Sequence, residues 1–177
     1  MKSILNLVFI STIFLTILSC EKKNPNLDPS GKDELKSLEV GHALDSTVMA
    51  YDDIIYVPIY SDIYITNQNP NSLLTATLSI RNTSYSDSLF VSKIDYFDTH
   101  GSLVRSFIDN PISLPPMGTV NYVVEKEDTS GGSGANFIVV ISGKNESIKP
   151  LIQAIMIGEN GNNQGFAFST DGYSIKN

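Results

Sequence analysis

From Ile54 onward, apolar residues recur at every second position along the chain. The stretch LLTATLSIRN sets Leu74, Ala76, Leu78 and Ile80 against Thr75, Thr77, Ser79 and Arg81. A period of two with one wet face predicts a half-buried β-strand. VNYVVE places Val120, Tyr122 and Val124 on one face, while NFIVVIS is apolar at both parities, as a central strand requires. SLFVSKIDYFDTHGSLVRSFI reads as two strands joined at Asp98, Thr99, His100 and Gly101, with glycine where the turn needs positive φ. QAIMIGENGNNQGFAFS reads as a second hairpin with Asn160 and Gly161 in its loop. NPISLPPMG, with three prolines, reads as a stiffened crossing loop.

About seven to nine short strands with frequent turn signals and no long helical period predict an all-β fold, an immunoglobulin-like antiparallel β-sandwich over residues 54–177. The usual cysteine pair and tryptophan are absent, because the chain has one Cys and no Trp. The core alone must therefore hold the fold, and a domain of this size buries roughly two-thirds of its unfolded surface.

Residues 1–19 follow another pattern. Lys2 precedes an apolar run that is short for a membrane span and stands where an export signal would. The run ends in ILSC, and Cys20 is the single cysteine. A lone cysteine in a secreted chain calls for an explanation. The box of large aliphatic, small residue and cysteine resembles a bacterial lipoprotein cleavage site, which makes Cys20 the expected site of lipidation and acylation. Two or more acyl chains anchor stably, each buried methylene contributing about 0.8 kcal/mol. Residues 20–53 are polar and rich in Asn, Pro, Gly and Lys at their start, and read as a flexible tether. Glu21, not Asp, follows Cys20, which favours an outer membrane.

Charge narrows the partners. The chain carries 12 basic and 19 acidic residues, a net −7, and loss of the leader would remove Lys2 and no acid. Such a surface repels nucleic acid and anionic headgroups. The expected partners are the membrane, through the lipid, and an envelope protein or glycan. No cofactor is expected.

The segments YVPIYSDIY, TLSIRNTS, DYFDTHGSLVRSF, ISLPPMGT, EKEDTSGGSGANFIV and AIMIGENGNNQGFAFSTDG follow one another in an order that resembles the domain of unknown function 3124 family. The resemblance covers residues 56–175, with residues 128–137 as its most specific motif. It implies a small bacterial secreted protein or lipoprotein and supplies no activity.

That motif, DTSGGSGANF, is glycine-rich and invites a phosphate-loop reading. No lysine follows its last glycine, Phe137 stands where a dinucleotide fingerprint needs glycine, and a strand follows where phosphate binding needs a helix N-terminus. It therefore reads as a strand-to-strand loop. Gly131, Gly132 and Gly134 permit close backbone approach, while Asp128, Thr129, Ser130, Ser133 and Asn136 can bond back to the loop's own amides. The functional alternative is a nest of amides and hydroxyls for an anion, a sugar or a partner's backbone, or a calcium site through Asp128 and Glu127.

Other chemistry is thin. His42 lies in the tether and His100 in a hairpin turn, too few for zinc or for a held general base. Asp95, Asp98 and Asp109 are near in sequence and leave a carboxylate hydrolase as a distant alternative. In IIYVPIYSDIYI, Tyr56, Tyr60 and Tyr64 share parity opposite Ile55, Val57, Ile59, Ile63 and Ile65. Pro58 marks this as an edge strand, so the three rings form a second candidate binding surface unless Ser61 and Asp62 break the strand. The leading expectation is a lipid-anchored, non-catalytic binding or assembly module.

Overall fold

The computed structural model describes residues 36–41, 44–64, 71–159 and 164–176. The leader, Cys20, His42, Ile65 and the loop containing Asn160 and Gly161 lie outside the described residues. Among the described residues, a 3-10 turn at Ser46–Val48 precedes eleven strands: β1 (Tyr51–Pro58), β2 (Asp62–Tyr64), β3 (Asn71–Arg81), β4 (Leu89–Phe97), β5 (Leu103–Ser106), β6 (Ile112–Leu114), β7 (Thr119–Val124), β8 (Asn136–Gly143), β9 (Leu151–Glu159), β10 (Gly165–Asp171) and β11 (Tyr173–Ser174). They form the antiparallel β-sandwich that the alternation predicts.

The first sheet runs β11-β1-β8-β4-β5, with β6 also on β4. The second runs β10-β9-β3, with β2 and β7 both on the far side of β3. Leu74, Ala76, Leu78 and Ile80 of β3 face Val57, Leu89, Ile94, Phe137, Val139 and Ile141 across a core from which water is excluded. Each fully buried aliphatic side chain of this kind contributes about 1.5–3 kcal/mol relative to exposure. β8 is the central strand of its sheet: Phe137, Val139 and Ile141 point into the core, and Ile138 and Val140 stay half-buried on the outer face.

In β4 the sequence period breaks. Leu89 and Val91 are odd, whereas Ile94 and Tyr96 are even, yet all four are buried. A register shift between Val91 and Lys93 against β8 inserts the extra residue, so both halves of the strand face inward. Near the start of β4, buried Asn82 holds three chain segments together. Its Nδ2 donates to the carbonyls of Asp87 (2.7 Å), Leu114 (3.2 Å) and Pro115 (3.0 Å), and its Oδ1 accepts from Ser84 N.

The chain changes sheets at two places that position the site. Between β1 and β2, Ile59 N donates to Ala135 O and Ser61 N to Gly132 O, both at 3.0 Å. Between β10 and β11, Gly172 N donates to Ile152 O at 2.8 Å. A Cβ at Gly172 would stand 2.6 Å from Ile55 Cγ2 and 3.1 Å from that carbonyl, so the corner requires glycine.

The segment read as tether is partly ordered on the sandwich. Glu39 forms a β-bridge with Ile112, Val40 N donates to Pro111 O at 2.8 Å, and Leu38 packs against the core. The first strand starts at Tyr51, within that same segment.

Candidate functional site

The glycine-rich loop follows β7 and is fastened down at nearly every residue. Asp128 N closes a turn on Glu125 O. The Asp128 carboxylate accepts from Ser130 N (3.1 Å) and Ser130 Oγ (2.5 Å) and pairs with Arg105 of β5. That guanidinium lies 5.7 Å from the Tyr96 ring centre and 5.2 Å from that of Phe107. Arg105 thereby joins an edge of the first sheet to the loop leaving the second, over an aromatic cluster of Tyr96, Phe107, Tyr122 and Phe137.

The glycines sit against the turn between β4 and β5. Gly131 O accepts from both the amide and the hydroxyl of Thr99, each at 2.9 Å. The same hydroxyl accepts from Gly134 N at 2.9 Å. Gly131 is buried, and a Cβ there would collide with Tyr96 Oη, which shares a buried 2.8 Å hydrogen bond with Ser61 Oγ. Gly132 has φ of 71°, the left-handed region that glycine enters without a Cβ penalty. Ser133 Oγ donates to Tyr64 Oη at 3.4 Å, Thr129 is exposed, and Asn136 opens β8 opposite Pro58 and Phe97. The loop is a cap over one end of the sandwich. Its carbonyls at Gly131 and Gly132, its amide at Gly134 and its carboxylate at Asp128 are spent on the chain itself.

Asp98 and Asp95 also have structural partners. Asp98 Oδ1 accepts from His100 N and Ser102 N, both at 2.8 Å, which builds the hairpin turn and leaves His100 exposed. Asp95 accepts from Ser106 Oγ at 2.6 Å and pairs with Lys93 at 3.4 Å. Asp109 is exposed. Among the described residues, no three His, Cys, Asp or Glu side chains converge as metal ligands would.

The three tyrosines do not share one surface. Tyr56 on β1 meets Tyr173 on β11 with ring centres 5.3 Å apart. Tyr60 lies in the sheet crossing and packs on Phe168 at 5.9 Å. Tyr64 ends β2 in the other sheet, 69% exposed beside Ser133. The break at residues 59–61 carries Tyr64 to the other sheet, whereas Tyr60 stays near enough to Tyr56 to add to the burial and the Tyr173 phenol that push the Tyr56 phenol up, and the two-residue β11 covers the edge of β1 at Ile55 and Tyr56. Pro58 stands at the last position of β1, beyond the reach of β11, where its missing N–H breaks no ladder.

Sequence reasoning passed over a concavity of about 920 Å³ on the outer face of the first sheet. Val40, Leu44 and Met49 form one wall, Val140 and Ser142 of β8 the floor, and Glu39 and Asp52 belong to its polar lining. The available signal was Val140, an apolar residue at an outward position, together with the aliphatic Val40, Leu44 and Met49 in a segment otherwise read as tether. A smaller hollow of about 350 Å³ is lined by Tyr51, Asp53 and Ile148 among others. There burial, followed by the Asp53 carboxylate, pushes the Tyr51 phenol up to about 12.

Fold and site together define an antiparallel β-sandwich with a latched glycine-rich cap and an apolar groove beside its N-terminal strap. The chain belongs to the family described as "Protein of unknown function (DUF3124)", whose profile matches residues 52–175. A comparison with curated proteins finds no match. Among solved structures, "Crystal Structure of Thermotoga maritima 1070" is similar over 68% of this chain and 92% of that chain, at 15% identity and a TM-score of 0.38, a likeness that carries no argument here.

Proposed function

We propose that this chain is a lipid-anchored cell-envelope protein whose β-sandwich is a non-catalytic binding or assembly module. The groove beside Val40, Leu44 and Met49 carries the reading: it joins an apolar wall to a polar lining, the make-up of a ligand site. The structural duties of Asp95, Asp98 and Asp128 favour a binding role over hydrolysis. Cys20, at the end of an apolar leader, supplies the anchor, and outer-membrane placement follows from Glu21 after it.

The binding half is tested by thermal unfolding of the full chain against fatty acids, amphiphilic amines and envelope sugars. A ligand at about a hundred times its dissociation constant adds roughly 2.7 kcal/mol. The shift should vanish in Val140→Arg, which fills the groove floor from an outward position. A shift that survives Val140→Arg, or none across the panel, would remove the groove from the proposal. The anchoring half is tested by labelling cells with an alkyne fatty acid. The label should attach to the wild-type chain and not to Cys20→Ala, and equal labelling of both would refute it.

A further inference from the structure

Antiparallel sandwiches leave strand edges whose unpaired amides and carbonyls template further pairing, and proteins usually blunt them with charge, proline, bulges or shortness. Most edges here are blunted. β5 has four residues, carries Arg105 and shifts register between Tyr96 and Phe97. β11 has two residues and is followed by Lys176, which pairs with Asp52. β2 has three residues, and β6 is bridged by Glu39. β7 is uncharged, but its inner flank is closed by Phe107 on Tyr122 at 5.3 Å and by the Arg105–Asp128 pair.

β10 is the exception. It is seven residues long, GFAFSTD, with no proline or lysine. Its pairing to β9 runs unbroken from Gly165 opposite Glu159 to Asp171 opposite Gln153. Among the described residues no strand pairs with its other edge. The inward side chains beside that edge are aromatic and only half-covered: Phe166 and Phe168 stack at 6.4 Å and 7°, and Tyr60 packs on Phe168. The outward ones, Gly165, Ala167 and Ser169, are small enough for a neighbouring backbone to approach.

We propose that β10 pairs antiparallel with β10 of a second copy of this chain, joining the two second sheets into one. Charge selects this occupant. The chain is net −7, so two copies repel over most of their surfaces, but β10 carries a single acid at its C-terminal end. A two-fold axis through Phe168 sets each Asp171 across from a Gly165, so the acids never face each other, and brings the half-covered aromatics of both copies together. The C-terminal end of β10 is already held to the first sheet by Thr170 Oγ1, which donates to Pro58 O at 2.5 Å, and this fixes the strand for pairing. One strand pair lies at the small end of specific interfaces, so the dimer is weak and is best trapped covalently. The inference depends on neither the groove nor the lipid.

The test uses the full chain with Cys20→Ser, to remove the other thiol, and Ser169→Cys treated with a short bis-maleimide. Two such thiols fall two residues apart across the axis, and a cross-linked dimer is expected. Adding Ala167→Lys, or Ala167→Glu as an independent second charge, should abolish it while circular dichroism stays unchanged. Val123→Cys on β7 should give no dimer. Absence of the Ser169→Cys dimer, or its persistence with both charged variants, would overturn the proposal. So would adducts only with a different protein, or a ladder of higher species from Ser169→Cys with Val123→Cys, which would mean head-to-tail pairing of β10 with β7.

Discussion

Gly131→Ala tests whether the glycine-rich loop is architecture. The new methyl would collide with Tyr96 Oη and stand 2.7 Å from Ala135 Cβ, in a place where nothing is exposed. Overpacking a tight core site costs about 1–3 kcal/mol. Displacing Tyr96 also strains the buried Ser61–Tyr96 hydrogen bond, and leaving such groups unsatisfied costs about 1–3 kcal/mol more. For a domain of this size each kcal/mol lowers the unfolding midpoint by about 3–6 °C, so a fall on the order of 10–20 °C is expected. Gly134→Ala is the internal comparison, since the nearest atom to its methyl would be Thr99 Cγ2 at 3.2 Å, and it should lower the midpoint by a few degrees at most. Removing the obstructing hydroxyl gives a further check: Tyr96→Phe alone should destabilise, yet with Gly131→Ala the pair should cost less than the sum of the two. The assay is thermal unfolding followed by far-ultraviolet circular dichroism. Equal, small shifts for Gly131→Ala and Gly134→Ala, with additive behaviour toward Tyr96→Phe, would refute the latch and return the loop to the candidate binding sites.

Tyr122→Phe should be neutral or stabilising by up to about 1 kcal/mol in denaturant unfolding, because the buried Tyr122 hydroxyl has no hydrogen-bond partner among the described residues. A clear loss would show that the hydroxyl has one. Arg105→Lys should lower stability by about 1 kcal/mol, since lysine keeps the charge toward Asp128 but cannot lie flat over Tyr96 and Phe107. Full retention of stability would reduce Arg105 to a simple counter-ion. Tyr51 should ionise near pH 12 in a tyrosinate absorbance titration, and Asp53→Asn should bring it down. A phenol that ionises at about 10 when unfolded and higher when folded contributes stability that is complete below about pH 10 and lost as pH climbs through the folded value. Denaturant midpoints that stay flat between these values would contradict the burial of that ring.

Long alternating strands were the legible part of the fold. β7 shows one buried and one wet face and β8 shows two apolar faces, whereas on β3, flanked by strands on both sides, the outward Thr75 and Thr77 are half-buried and Ser79 is buried, so only Arg81 of the expected wet face is exposed. The hairpin at residues 98–101 announced itself by Asp98 and Gly101. Strands of two to four residues such as β2, β6 and β11 are too short to show a period. IIYVPIYSDIYI reads as one stripe because nothing local marks a change of sheet. The crossing is fixed by hydrogen bonds from Ile59 and Ser61 to residues some seventy positions away. The same distance hid the role of the loop: its glycines are spaced for flexibility, but their meaning lies in Thr99 and Tyr96, which the fold alone brings near. The groove was hidden because a polar segment reads as tether until its few aliphatic residues find an apolar floor.

The two neighbours of β1 are β8 and β11, and its crossing leans on the glycine-rich loop, all from the far half of the chain. β1 is therefore made well before it can be completed, because Ile54 O accepts its bond from Ile175 N, more than a hundred residues later. Contacts this distant in sequence close slowly. A ribosome-bound or partly threaded chain thus holds an unfinished first sheet until residues 173–175 are free, and loss of those residues leaves β1 with one side bare.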